Sequence, residues 1–334
     1  MFHYKHPFGE ASCEDLIKVL KENYENYYFE ETPFNTATLE DDCYLIIGRR
    51  GTGKSSLAHY FTFQDEIENS RCIDIDEPEI FSNVLKKVSK FSDPDPTIAI
   101  PRIVKIWDYI FWTLIFSKYK DRSPEIGAAC LSQDSKGSFL IRSVLKHILE
   151  RFLPDDSEQL SESLEDFLSS KSVQLAKTKM LDIAKNEPVI VAMDSLEKYS
   201  VDNIDVMNSL AALIQCSSNF NIEYSRQGIH IKTFVSAEVF PYLTESAMSN
   251  TVKFVRHPVY MHWRPKDLMR LVSWRFYRHL DRYFKGAISS PHKIKWSNFS
   301  DVLNKVWIPH FGESITNGSG IPEKTFPYIC DTHK

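Results

Sequence analysis

Two short stretches of the chain are apolar at nearly every position. One is "CYLIIG", which ends at Gly48; the other is "PVIVAMD", from Pro188 to Asp194. A run without polar alternation suits a strand buried on both faces of a parallel sheet. Pro188 falls at the edge of its run, where a missing N–H does little harm. "RCIDID" (71–76), "IHIKTFVSAEVF" (Ile229–Phe240) and "TVKFVRH" (251–257) are three further strand candidates. Between these runs the apolar positions switch to helical spacing. "RIVKIWDYIFWTLIFSKY" sets Ile103, Ile106, Trp107, Ile110, Phe111, Leu114 and Ile115 on one broad stripe, as a buried core helix does. Helices are also expected in "CEDLIKVLKENYENY", "KSSLAHYFTFQDEI", "FLIRSVLKHILERFL", "KSVQLAKTKMLDIAKN", "NIDVMNSLAALIQCSS" and "RPKDLMRLVSWRFYRHLDRYF". Pro265 suits the first turn of the last of these.

This order of elements predicts an α/β fold, a parallel sheet flanked by helices on both faces. A large helical insertion is expected at about 79–187 and a helical part at the C-terminal end. Residues 1–40 read as an aromatic docking segment, 41–260 as the core and 261–334 as a basic helical subdomain. "SITNGSGIPEK" (Ser314–Lys324) reads as a flexible loop. The uncapped "TFPYICDTHK" behind it carries the expectation that the natural protein continues past Lys334.

The turn after the first apolar run carries specific chemistry. Gly48, Arg49, Arg50, Gly51, Thr52, Gly53, Lys54 and Ser55 match the pattern G-x-x-x-x-G-K-[ST] between a strand and a helix. Glycines let consecutive backbone N–H groups turn inward around phosphate oxygens, and the helix start adds partial positive charge. Lys54 is expected on the β- and γ-phosphates of ATP, Ser55 on Mg²⁺, and Ser56 beside them. A Mg²⁺ site of this kind needs an acid at the end of a neighbouring strand. Asp194 ends a continuous apolar run, whereas Asp76 and Glu77 end a run interrupted by Asp74, so Asp194 is preferred. Glu197 is read as the group that orients or deprotonates the attacking water, against the plainer reading of "SLEKYS" as a polar turn. Ser236 or Glu238 is expected at a strand tip near the γ-phosphate. Arg264, in "HWRPKDL", is the first choice for positive charge at the transition state, and Arg256 the second.

Charge adds a second theme. The chain of 334 residues has a net charge of −5, yet residues 253–305 hold 12 Lys or Arg against 3 Asp or Glu. Trp263, Trp274, Phe276, Tyr277 and Tyr283 are interleaved with these cations. Basic residues supply phosphate affinity and aromatic rings can stack on bases, so nucleic acid is one candidate partner; a nucleotide and a neighbouring copy's acidic segment are the others. The ordinary alternative is that the aromatics belong to a core. The 6 cysteines form no C-x-x-C pair and read as reduced thiols. The N-terminus lacks a signal-peptide pattern. The most apolar stretch, Ile103–Phe116, is too short to span a bilayer and carries Lys105 and Asp108. A soluble cytoplasmic protein with no membrane partner is expected. No N-K-x-D motif reads a guanine base, and the long helical insertion and lack of an arginine-rich lid disfavour a small-molecule kinase.

Taken together, "GRRGTGKSSLA", the helical insertion, "VIVAMDSLEKY" and "W-R-P-x-x-L…R" resemble P-loop ATPases of the additional-strand class. Within that class the resemblance is to STAND and AAA+-like ATPases of prokaryotic conflict systems, and it covers roughly residues 6–283. In STAND members the Mg²⁺ strand ends in an aspartate followed three residues later by another acid; Asp194 and Glu197 fit that. The resemblance implies a slowly hydrolysing, ATP-dependent regulatory switch that forms a homo-oligomer or engages an effector in antiviral defence. No acid directly follows Asp194, unlike the pair in motor AAA+ proteins, and no separate effector domain is visible. A DNA-associated AAA+-like ATPase and a small-molecule kinase are the alternatives.

Overall fold

Helices α1 (Cys13–Leu20), α2 (Tyr24–Tyr27) and α3 (Pro33–Leu39) lead into strand β1 (Leu45–Gly48) and helix α4 (Lys54–Tyr60). Strand β2 (Arg71–Asp74) precedes α5 (Pro96–Tyr119), α6 (Pro124–Ala129) and α7 (Lys171–Ala184). Then come β3 (Val189–Met193), α8 (Ile204–Tyr224), β4 (Ile229–Ser236), the short α9 (Phe240–Tyr242) and β5 (Val259–Met261). Helices α10 (Pro265–Tyr283), α11 (Phe299–Val302) and α12 (Ile308–Phe311) are followed by strands β6 (Ser314–Thr316) and β7 (Pro322–Lys324). The computed structural model describes residues 7–10, 12–63, 71–74, 95–130, 166–194, 203–244, 255–284, 293–316 and 319–325. The expected helix "FLIRSVLKHILERFL" lies outside the described residues, as do Asp76, Glu77 and Glu197.

The chain forms two compact units, Thr36–Met261 and Met1–Asn35 with His262–Lys334. The first holds a parallel sheet in the order β2-β3-β4-β1-β5, flanked by helices. Strands β1, β3 and β4 lie inside the sheet and are buried at every position. That is the environment their apolar sequences match. Helix α5 is enclosed more fully than one stripe implies: Tyr109, Trp112, Phe116 and Tyr119 are buried along with the stripe residues. It packs on α8, where Trp107 Nε1 donates to the Ser209 carbonyl at 3.1 Å and Trp112 lies 5.2 Å from Phe220, ring to ring.

Two ionisable residues interrupt the apolar pattern of β4 and are nonetheless buried. Lys232 Nζ donates to the carbonyls of Glu40 (2.9 Å) and Cys43 (2.6 Å), tying the segment before β1 to β4. Burial lowers the pKa of this lysine and, with the Lys232 charge adding to it, lowers that of His230 to about 3. His230 is therefore a neutral core residue at physiological pH. The turn into β4 uses Gly228 in the left-handed region (φ 89°). A Cβ there would stand 2.1 Å from the Ala184 carbonyl oxygen, so glycine is required twice over.

Four local expectations are corrected. Among the described residues the fifth strand pairs at Val259–Met261, beyond a turn at His257 (φ 44°) and Pro258, and residues 255–257 of "TVKFVRH" are not strand; 251–254 lie outside the described residues. Strand β4 stops at Ser236, and Phe240 opens α9. The single N-terminal helix breaks at Lys21 (φ 50°) into α1 and α2. "SITNGSGIPEK" closes as an antiparallel hairpin, β6 on β7, in which Ile315 faces Glu323.

In the second unit, residues 1–35 and 262–334 share one core of Phe29, Met269, Tyr277, Trp296, Val302 and Trp307. Phe8 packs against Phe276 and Phe311, with ring centroids 6.1 and 6.3 Å away. Among the described residues, no helix is long and apolar enough to cross a membrane.

Candidate phosphate-binding site

Strand β1 delivers the chain to Gly48 at the carboxyl end of the sheet, and the loop 49–53 turns it into α4. The three glycines are needed for different reasons. Gly51 (φ 82°) and Gly53 (φ 93°) adopt the left-handed conformation, and a Cβ on either would meet nothing within 4 Å. Their requirement is conformational. At Gly48 the requirement is space: a Cβ would stand 2.5 Å from Thr52 Oγ1 and 3.1 Å from Met261 Cβ. Thr52 pins the turn internally, donating to the Arg49 carbonyl from both its N–H (3.2 Å) and its hydroxyl (2.8 Å).

Lys54 is buried, although lysine is among the residues least often found so. Its ammonium donates to the carbonyls of Gly48 and Arg49, at 2.9 Å each. The charge is thereby held at the loop rather than in solvent. Ser55 and Ser56 are half-buried in the first turn of α4, while Arg49 and Arg50 are exposed.

Asp194 directly follows β3 and is buried. Met193 is level with Thr233, which is level with Leu45, so Asp194 leaves the sheet from the same carboxyl end as the loop, with β4 between. The competing strand β2 is the sheet's edge and pairs with β3 alone. The tip of β4 reaches the loop directly. Ser236 is in register with Gly48, and the Ala237 N–H donates to the Gly48 carbonyl at 3.1 Å. Ser236 Oγ donates to the Glu238 carboxylate, and the Glu238 N–H returns a bond to Ser236 Oγ at 3.2 Å. That serine is the largest influence holding the Glu238 carboxyl below its ordinary range; the Arg50 backbone N–H and the Lys54 charge add to it.

The two arginines singled out from sequence belong to different units. Arg256 precedes β5, whose last residue, Met261, is level with Gly48, so Arg256 lies at the amino end of the parallel sheet. Its backbone N–H donates to Tyr44 Oη at 2.9 Å. A cavity of about 630 Å³ opens there, lined by Asp41, Tyr44, Ser218, Arg226 and Arg256 among others, and not at the loop. Arg264 belongs to the other unit, where its Nε donates to Asp267 Oδ2 at 2.8 Å across the first turn of α10.

The basic, aromatic stretch has largely internal uses within its unit. Arg270 is buried and donates to Asp267 and to the carbonyls of Trp296 (3.2 Å) and Ser297 (3.0 Å). Arg275 donates to the Phe8 carbonyl at 3.1 Å, and Arg278 lies 4.2 Å from the Trp274 ring centroid. Trp263, Trp274 and Tyr277 belong to the apolar cluster. Sequence could not assign the carbonyl partners of Arg270 and Arg275, which lie 26, 27 and 267 residues away along the chain.

Left-handed glycines that turn backbone donors inward, a buried ammonium, a serine hydroxyl and a buried carboxylate are groups suited to a polyphosphate with Mg²⁺. No family model matches the chain, and no solved structure matches it. A curated protein is similar to it: the putative transposon gamma-delta 80.3 kDa protein of Escherichia coli (strain K12), 24% identical over 291 residues. The match covers 80% of this chain, which spans about two-fifths (39%) of that relative's length.

Proposed function

We propose that the Thr36–Met261 unit is a P-loop ATPase core that binds ATP with Mg²⁺ and hydrolyses it slowly. The observation that carries this reading is the loop itself: Gly51 and Gly53 left-handed, and Lys54 buried with its ammonium on the Gly48 and Arg49 carbonyls. The loop N–H groups and Lys54 hold the phosphates, with Ser56 adjoining. Ser55 and Asp194 hold Mg²⁺, which when bound offsets charge on the phosphate oxygens. Ser236 and Glu238 stand at the same end, and Glu197 is assigned to the attacking water. Arg264 is assigned to the transition-state charge. The order β3-β4-β1 supports the additional-strand class, because one strand intervenes between loop and acid.

On this reading nucleotide state governs assembly with further copies or an effector, in the cytoplasm, as in antiviral conflict systems. A DNA-associated ATPase is the second reading. The relative named for a transposon favours it; the internal engagement of Arg270, Arg275 and Arg278 weighs against it. The test is Mg²⁺–ATP binding and solution mass for wild type, Lys54→Ala and Asp194→Asn, with and without DNA. Losing the charge-assisted bonds of Lys54 is expected to weaken ATP about 10- to 100-fold. Equal affinity in wild type and Lys54→Ala overturns the assignment.

A further inference from the structure

The cavity of about 630 Å³ lies at the amino end of the sheet, away from the glycine-rich loop at the carboxyl end. Its volume suits a small-molecule ligand. Three segments wall it, all from the Thr36–Met261 unit. The lead into β1 brings Glu40, Asp41 and Asp42. The end of α8 and the turn after it bring Ser218, Ile222 and Arg226, and the residues before β5 bring Arg256. Backbone bonds fix two of these walls: Lys232 holds the Glu40 and Cys43 carbonyls, and the Arg256 N–H holds Tyr44 Oη.

Charges of both signs line the cavity, yet they do not neutralise one another. Neither the Arg226 nor the Arg256 guanidinium closes an ion pair among the described residues. The one cation within ion-pair reach of Asp41 there is the His230 imidazole, at 3.9 Å, which is neutral at physiological pH. Lys232 lies behind the acidic wall and directs its ammonium to carbonyls, not to carboxylates. Ser218 is fully buried in the lining. Its hydroxyl lies near the Tyr44 phenol but makes no hydrogen bond of ordinary geometry. A buried hydroxyl without a partner costs free energy, which a polar ligand would recover.

We propose that this cavity binds a short peptide with both ends free, its carboxylate on Arg226 and Arg256 and its ammonium on the acidic wall at Asp41. The class follows from the walls. A phosphate or other anion would be met by three carboxylates, and a polyamine by two guanidinia. A zwitterion satisfies both signs. The opposite charges of the walls stand too far apart to pair, so the ligand's charges must also be separated. The ends of a peptide are; those of a single amino acid are not. Guanidinium groups take a carboxylate through parallel N–H bonds. Ile222, exposed in the lining, offers an apolar surface to a peptide side chain.

The test titrates the dipeptide alanyl-leucine against the whole chain by ligand-observed NMR. Beside it stand N-acetyl-alanyl-leucine, which lacks the ammonium, and alanyl-leucinamide, which lacks the carboxylate. The free dipeptide is expected to bind, and each blocked form to bind at least about fivefold more weakly. Arg226→Gln and Asp41→Asn are each expected to weaken the free dipeptide about three- to tenfold. Both residues are exposed, and a melting curve verifies that the variants fold. No binding of the free dipeptide at about 10 mM overturns the proposal. So does equal binding of either blocked form, because one charge would then suffice. Binding indifferent to both substitutions overturns it too, since the dipeptide would then sit elsewhere.

Discussion

Asp108 offers the clearest quantitative test of how the sheet unit is held together. It lies on α5, the helix whose neighbouring positions Trp107, Tyr109, Phe111 and Trp112 are fully buried. Burial pushes its pKa from 3.8 up to about 6; the Lys177 charge pulls it down less strongly, and Glu223 pushes it up further. Lys177 itself sits 4.8 Å from the Trp112 ring centroid. The sign follows from comparing the two states. An unfolded chain loses this proton near pH 3.8, while the folded chain keeps it to about pH 6. Below pH 3.8 neither state is ionised and nothing is lost. Between the two values the folded state binds more protons, so stability falls as pH rises. Above pH 6 the whole penalty is present. At about 1.4 kcal/mol per pH unit the interval corresponds to about 3 kcal/mol, or about 2 after partial solvent access is allowed for. Asparagine copies the protonated carboxyl in shape and charge. Urea unfolding should therefore find Asp108→Asn more stable than wild type by about 2–3 kcal/mol at pH 8 and nearly equal to it at pH 4. A variant that is less stable at pH 8, or a difference that does not change with pH, would refute the reasoning.

Two further substitutions test the backbone and the second unit. Gly228→Ala must place a Cβ 2.1 Å from the Ala184 carbonyl oxygen at φ 89°, and is expected to cost more than about 2 kcal/mol in the same assay; a loss under about 0.5 kcal/mol would contradict the fit. Arg270→Lys keeps a charge for Asp267 but cannot also reach the Trp296 and Ser297 carbonyls, so a loss of about 1–3 kcal/mol is expected. Stability unchanged in that variant would mean that charge alone, and not the planar fork, holds the site.

The sequence carried the sheet well because its interior strands are buried on both faces. "LIIG" and "VIVAM" have no alternative use in a folded chain, and their ends at Gly48 and Asp194 marked the carboxyl edge. "IHIKTFVS" is less plainly a buried run, since His230 and Lys232 resemble solvent positions. Their burial depends on carbonyls that Glu40 and Cys43 supply from 189 or more residues earlier. The loop was legible as a pattern because Gly51 and Gly53 answer to backbone conformation, a local property. The nearness of Glu238 to Lys54 depends on the register of β4 on β1, and register is not written in either strand alone. The basic stretch invited a nucleic-acid partner because Arg270, Arg275 and Arg278 could only be counted, whereas in the fold they satisfy carbonyls and cover a ring face. Nothing local could reveal that residues 1–35 share a core with 262–334, since that match lies in shape rather than in periodicity.

That shared core fixes an order of events during synthesis. Residues 1–35 leave the ribosome ahead of residues 36–334, and Met269, Tyr277, Trp296 and Trp307 arrive only after the entire Thr36–Met261 unit has been made. At about 5–20 residues per second, the delay is roughly 10 to 45 seconds. The sheet unit is continuous in sequence and can complete itself in that interval. Meanwhile Phe29, buried in the finished protein, is without the core residues that cover it. The leading segment is thus a natural client for a chaperone. A fragment cut at Met261 should be trimmed at its front as well, starting near Thr36, or it will carry a greasy tail into solution.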